Sequence, residues 1–282
     1  MSQVICKNCG NEFNGKFCNC CGQKATTTRL TYKTFVESLM HGFLHVDKGV
    51  FYTLRMLFVN PGKIVADYIS CKRVNYFQPF PLLIILSAIY SLLNHLVNPE
   101  VAHTVNIAAT QHANGLTIHP SVVNITTTLQ TNGVFEKLLS FMINYISENY
   151  AFMNIFIIPP FIMAVKIAFR NAGAKAYNFV EYLYGGAYLS SLYIVISLFF
   201  LLVECLLKGT SYLAKWDDIA WLVYFLVTFR FFYQLFEGSV GKTIKRTINT
   251  YLLYVPFLII YILIGVGILA LIAVVGQGIG LC

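Results

Sequence analysis

Five of the chain's eight cysteines, Cys6, Cys9, Cys18, Cys20 and Cys21, fall within its first twenty-one residues, while Cys71, Cys205 and Cys282 are scattered. Cys6-Lys7-Asn8-Cys9-Gly10 and Cys18-Asn19-Cys20-Cys21-Gly22 are two CxxCG units, with eight residues between Cys9 and Cys18. Each pair can wrap one side of a tetrahedral ion, and the glycine after the second cysteine accepts the left-handed backbone that turns amide N–H groups toward the thiolates. Cys6, Cys9, Cys18 and Cys21 are therefore expected to hold a structural Zn2+, because four thiolates leave no coordination position for water. Iron satisfies the same spacing. Two disulfides are disfavoured by a cytosolic location, and a redox CxxC by the presence of two matched units without a βαβ context. Cys20 lies between ligands as a spare residue, with a ligand swap as the alternative. So small a module has almost no apolar core, and the metal is expected to supply most of its folding free energy.

What must carry this module is lipid-soluble. The 282 residues are 57% hydrophobic and only 11% charged, with a mean hydropathy of +0.66. Soluble domains carry about 25% charge, so an ordinary cytosolic enzyme, a disordered chain and a disulfide-rich secreted module are all excluded. Met1 to Gln23 has no apolar stretch of the signal-peptide kind, and the N-terminus is expected to stay untranslocated. From Leu30 to Ile69 apolar residues at helical spacing alternate with charge, which predicts amphipathic helices lying on the membrane surface. Asn60-Pro61-Gly62 predicts a short helix from Pro61 to Ile69, with Asn60 as cap and Pro61 at its first position.

Five stretches approach or exceed the ~20 apolar residues needed to cross a bilayer: Pro79 to Val97, Tyr150 to Phe169, Leu183 to Leu207, Ile219 to Phe236 and Tyr251 to Val275. Seventeen of the twenty Lys and Arg residues flank one end of these spans, and only Lys137, Lys208 and Lys215 flank the other. The positive-inside rule then puts the N-terminus in the cytoplasm, and an odd number of spans puts Cys282 outside. The expected organisation is a zinc ribbon over 1–24, interfacial helices over 30–78, and a five-helix transmembrane domain over 79–282 with an outer loop at 98–149. The fold class is an all-α integral membrane protein. Val134 to Ile146 within the outer loop reads as an amphipathic helix, and the glycines from Gly265 to Gly280 as close packing and a frayed end.

Several motifs around the cysteine ribbon carry a resemblance. They are Cys6 to Gln23 itself, Asp47-Lys48-Gly49 with Thr53-Leu54, Pro61-Gly62-Lys63, Asp67-Tyr68-Ile69, Lys72-Arg73-Val74-Asn75-Tyr76-Phe77-Gln78-Pro79-Phe80, and Tyr177-Asn178-Phe179-Val180-Glu181. Together they resemble an uncharacterised family of bacterial membrane proteins, the domain of unknown function 3667, over residues 1 to about 97 and more loosely beyond. The resemblance implies a zinc ribbon and embedding in the bacterial inner membrane; it implies no reaction. Family members tend to show Gly before the Lys-Arg pair and His after the Glu near 181, where this chain has Cys71 and Tyr182.

Other side chains could do chemistry. His41 and His45, with Asp47 beyond, could form a partial metal site, but they lack a third ligand in reach and read better as an interfacial polar edge. His103, His112 and His119 are irregularly spaced in the outer loop. Lys72 and Arg73 with Tyr76 and Phe77 place two cations and two aromatics at headgroup depth, as a topology anchor or a lipid-headgroup pocket. Pro159 and Pro160 remove the donors that serve the carbonyls of Ile155 and Phe156, predicting a break or kink in the second span. Lys166, Arg170, Glu181 and Arg230 map to the cytoplasmic third of their spans, where Glu181 is expected to pair with one of the three cations.

No GxSxG, HExxH, P-loop or paired-carboxylate arrangement occurs, so no enzymatic activity is expected. The expected role is a protein-binding or assembly ribbon tethered to a membrane body, with lipids, a protein partner and oligomerisation as its associations. The alternative is a carrier or channel for a small solute or lipid, using the kinked second span and the Glu181 cluster. Nucleic acid is disfavoured, because only Lys7, Lys16 and Lys24 are basic in the ribbon and no aromatic platform accompanies them.

Overall fold

The computed structural model describes residues 3–41, 49–97, 150–172, 177–207 and 213–278. Outside the described residues lie His45, Asp47, His103, His112, His119, Cys282 and the outer segment 98–149 with its expected helix; His41 ends a helix.

At the N-terminus β1 (Val4–Ile5) pairs antiparallel with β2 (Glu12–Phe13), in the register Val4 with Phe13 and Ile5 with Glu12. Twelve residues further on, Phe17 bridges Lys24 in the same sense. The two CxxCG units thus sit on two equivalent hairpins, around a core of Cys6, Phe13 and Cys18.

Three short helices follow: α1 (Tyr32–His41), α2 (Val50–Val59) and α3 (Pro61–Ile69). Thr31 and Thr34 exchange hydrogen bonds at the start of α1, so that side-chain oxygens satisfy backbone donors the first turn leaves open. Asn60 and Pro61 open α3 where the sequence places them, Pro61 losing nothing there because a first-turn N–H has no helical partner. α2 turns Phe51, Tyr52 and Phe58 outward and packs Thr53 and Leu57 inward.

The remaining helices are α4 (Pro79–Val97), α5 (Tyr150–Ala168), α6 (Phe179–Leu207), α7 (Leu213–Phe236) and α8 (Val240–Gly278). Among the described residues four helices hold a stretch long and apolar enough to cross a membrane: Pro79–Val97, Phe179–Leu207, Ile219–Phe236 and Val240–Ile268. Their outer faces carry exposed Leu92, Leu206, Trp221, Leu252 and Leu263. Such apolar side chains are stable in contact with hydrocarbon rather than water.

α5 contacts α4, α6 and α8. It runs unbroken from Tyr150 to Ala168 with Pro159 and Pro160 inside it, so of the expected break or kink the break is not present. Neighbours hold it on several sides: Asn154 donates to Ser87 of α4 (3.4 Å), and Phe156 and Phe161 meet Tyr261 and Tyr254 of α8. Packing of this kind keeps a proline-containing membrane helix helical although two backbone donors are missing. Hydroxyls tie α6, α7 and α8 together: Thr228 bonds both Tyr193 and Tyr251, and Ser197 bonds Tyr224. With no competing water in hydrocarbon, such contacts act as interhelical glue.

Candidate metal centre

The backbone of each knuckle follows directly from its Cys-x-x-Cys-Gly pattern. Gly10 and Gly22 adopt φ of +77° and +76°, a region that L side chains rarely enter. Their N–H groups donate to the carbonyls of Cys6 (2.8 Å) and Cys18 (2.9 Å), and the N–H groups of Cys6 and Cys18 donate to the carbonyls of Asn11 and Gln23, both at 2.9 Å. Two identical loops result, twelve residues apart, each aiming backbone donors at sulfur.

The four sulfurs of Cys6, Cys9, Cys18 and Cys21 all lie within 4.8 Å of one another, with Cys6–Cys21 at 3.5 Å and Cys9–Cys18 at 3.6 Å. Tetrahedral coordination at about 2.3 Å per bond requires sulfur–sulfur separations of about 3.8 Å. The donor set therefore fits a four-thiolate ion.

Its electrostatics are graded. The Cys9 N–H holds the Cys6 thiol below its ordinary value, and the Cys21 N–H brings Cys18 down to about 6. At Cys9 the Asn11 N–H pulls the other way, but desolvation and the neighbouring sulfurs prevail and push it up to about 12. Desolvation also raises Cys21. Each knuckle thus holds one thiol shifted toward the thiolate and one shifted away from it, and binding of a cation would displace the remaining protons to solvent. Cys20 is exposed and outside the cluster.

The module is seated on the membrane body by contacts distant in sequence. Gln23, 5% exposed, accepts the Arg73 N–H on its Oε1 at 3.4 Å. The Arg73 guanidinium donates to the carbonyls of Tyr68 (3.0 Å) and Thr28 (2.8 Å) and lies over the Tyr68 ring. Lys7 donates to the carbonyl of Thr27, and Asn178 to that of Leu30, whose side chain is buried. Arg29 closes on Glu181 with two parallel bonds, Nε–Oε1 at 2.6 Å and Nη2–Oε2 at 2.8 Å.

These contacts revise two expectations. Of the expected headgroup group, only Lys72 is exposed, 3.7 Å from Asp67. Arg73 turns to the connector; Tyr76 donates to Asp67 (3.0 Å); Phe77 is buried, its N–H bonded to Thr53 and its carbonyl to Tyr188. The physical reason is the left-handed residue Cys71 (φ +72°), which ends α3 and folds the following residues back over it. The same conformation explains why glycine suits this position in the resembling family.

The expected intramembrane cluster is likewise not assembled. Lys166 and Arg170 are exposed at the end of α5, and Arg230 donates to the Val59 carbonyl at the C-terminus of α2, where a cation is favoured. Glu181 instead pairs with Arg29 and completes a capping box. The Asn178 N–H donates to Glu181 Oε2 (2.7 Å), while the Glu181 N–H donates to Asn178 Oδ1 (2.8 Å). Asn178-x-x-Glu181 is a legible helix-start signature, and it was the one signal in the sequence that pointed to this role; Arg29 carried none.

No curated protein and no solved structure matches the chain. The family described as "Protein of unknown function (DUF3667)" matches residues 47–91, the segment that runs from the entry to α2 through α3 and the Arg73 turn into α4.

Proposed function

We propose that the chain is a five-span protein of the bacterial inner membrane whose N-terminal cysteines form a cytoplasmic zinc ribbon, and that this ribbon is a non-enzymatic protein-binding or assembly module. The convergence of four sulfurs on two matched knuckles carries the reading. Supporting it, Ile5 (65% exposed) and Phe17 (55% exposed) point outward from equivalent places, each just before the first cysteine of its knuckle. Exposed apolar residues on so small a polar module suit a protein contact.

The arrangement of helix ends supports the five spans. The starts of α4 and α6 meet the segment behind the ribbon through Arg73 and Glu181, the start of α8 meets the end of α5 through the Arg246 bond to Asn171, and the end of α7 meets α3 through the Gly62 bond to Gln234. Alternating starts and ends at one side are what five successive crossings produce, and this side carries Lys72, Arg73, Lys166, Arg170, Arg230, Lys242, Lys245 and Arg246.

The test is a photo-crosslinker at position 17 in cells, with reporter fusions at both termini. A discrete crosslinked species, lost in Ile5→Ser and regained in wild type, is the expected result, with the two termini on opposite faces. No crosslink at 17, or both termini on one face, overturns the proposal.

A further inference from the structure

We infer that metal occupancy of the four cysteines latches the ribbon onto the membrane body, so that the module reports a thiophilic divalent cation to the start of α6. The inference rests on the metal-centre reading above and adds to it a coupling that no contact with the ion itself provides.

The chain of contacts is continuous. The module has a buried core of Cys6, Phe13 and Cys18 alone, too small to hold its fold, so the ion supplies the free energy that sets both knuckles. Gln23 belongs to the second knuckle: its carbonyl takes the Cys18 N–H, and its own N–H reaches the Cys21 sulfur. Its buried side chain then meets Arg73. Arg73 in turn holds the connector at Thr28, and the next residue, Arg29, closes on Glu181. Only five residues separate Gln23 from Arg29, a reach of about 20 Å when fully extended. Fixing the knuckle therefore holds the guanidinium beside its carboxylate at high effective concentration.

Loss of the ion frees the knuckle, removes the Gln23 contact and lets the connector leave. Glu181, which has no exposed surface, then keeps its capping bonds to Asn178 but loses its cation. The first turn of α6 is the part of the membrane body that senses the change. Because coupling between two equilibria is reciprocal, contacts at Glu181 and Arg73 must also strengthen metal binding although neither residue touches the ion.

The test uses the full-length protein in detergent, with cobalt(II) to read the ligand set by its thiolate charge-transfer band and zinc titrated against a chromophoric chelator. Glu181→Gln and Arg73→Gln should keep the tetrathiolate band and weaken zinc binding about 5- to 150-fold, the usual range of coupling between sites. In wild type, zinc removal should expose the Arg29–Leu30 bond to trypsin, and zinc should restore protection. Arg29→Gln removes the same pair from its exposed side and should weaken zinc binding in the same way, with circular dichroism in detergent showing that the helical body is retained in all three variants. Unchanged zinc affinity in all three variants, with trypsin cutting equally slow with and without zinc, overturns the latch while leaving the metal centre standing. Absence of the tetrathiolate band in wild type overturns both.

Discussion

Arg29 and Glu181 lie 152 residues apart and meet in a bidentate pair, with the carboxylate wholly buried and the guanidinium 59% exposed. The pair joins the connector behind the cysteine module to the first turn of α6. Glu181 also closes a capping box as the third residue of α6, so one side chain serves a helix start and a tertiary clamp together.

That double use separates a structural Glu181 from a transport residue. Glutamine preserves the capping geometry but not the charge, so Glu181→Gln should cost about 1–2 kcal/mol, a figure held down by the solvent around Arg29. Glu181→Ala removes the cap as well and should cost about 1 kcal/mol more. Thermal unfolding in detergent checks the order wild type, Gln, Ala; a melting temperature unaffected by both substitutions contradicts the clamp.

Metal content should follow the four converging sulfurs alone. Purified wild type and Cys20→Ser are expected to carry one equivalent of zinc per chain, whereas Cys9→Ser should lose most of it, since a closed site needs all four thiolates. Elemental analysis by mass spectrometry decides; equal zinc in Cys9→Ser and wild type refutes the ligand set.

Gly62 is the closest approach of α3 to α7. A Cβ there would lie 2.5 Å from both Gln234 Cβ and the Phe231 carbonyl oxygen and 2.6 Å from the Leu235 nitrogen. The Gly62 N–H meanwhile donates to Gln234 Oε1 at 3.0 Å. Gly62→Ala should therefore destabilise by about 1–3 kcal/mol or more. Gly241, with open space around it in α8, gives the contrast: its change to Ala should be neutral or stabilising by up to about 1 kcal/mol. Paired melts of the two variants that shift alike would show that the crossing is looser than described.

Cys71 occupies the left-handed region while buried at the end of α3. Glycine is expected to be tolerated there, and Cys71→Val should be less stable than Cys71→Gly by about 1–2 kcal/mol, because a branched side chain fits that backbone worst. Chemical denaturation followed by the intrinsic tyrosine and tryptophan signal measures the difference, and a Val variant as stable as the Gly variant would falsify the assignment of backbone strain.

Features set by a few consecutive residues were readable without coordinates. The glycine after each CxxC accepts a conformation that other residues resist, so the knuckles follow from the cysteine spacing. Pro61 starts α3 because its ring suits that position, and the apolar stretches announce themselves by length against the thickness of hydrocarbon. Only the tertiary structure decided what the polar side chains do. Hydropathy offers Lys166, Arg170 and Arg230 as partners for Glu181, yet its partner comes from a connector with no periodicity and no motif. Arg73 sits beside aromatics in the pattern of a lipid anchor but turns inward, because the left-handed Cys71 reverses the chain. Pro159 and Pro160 read as a break or kink, and α5, packed on neighbouring helices, is helical through both. Periodicity and composition report which medium a side chain faces; which charge it meets depends on how distant segments close around it, and that is a property of the packed chain.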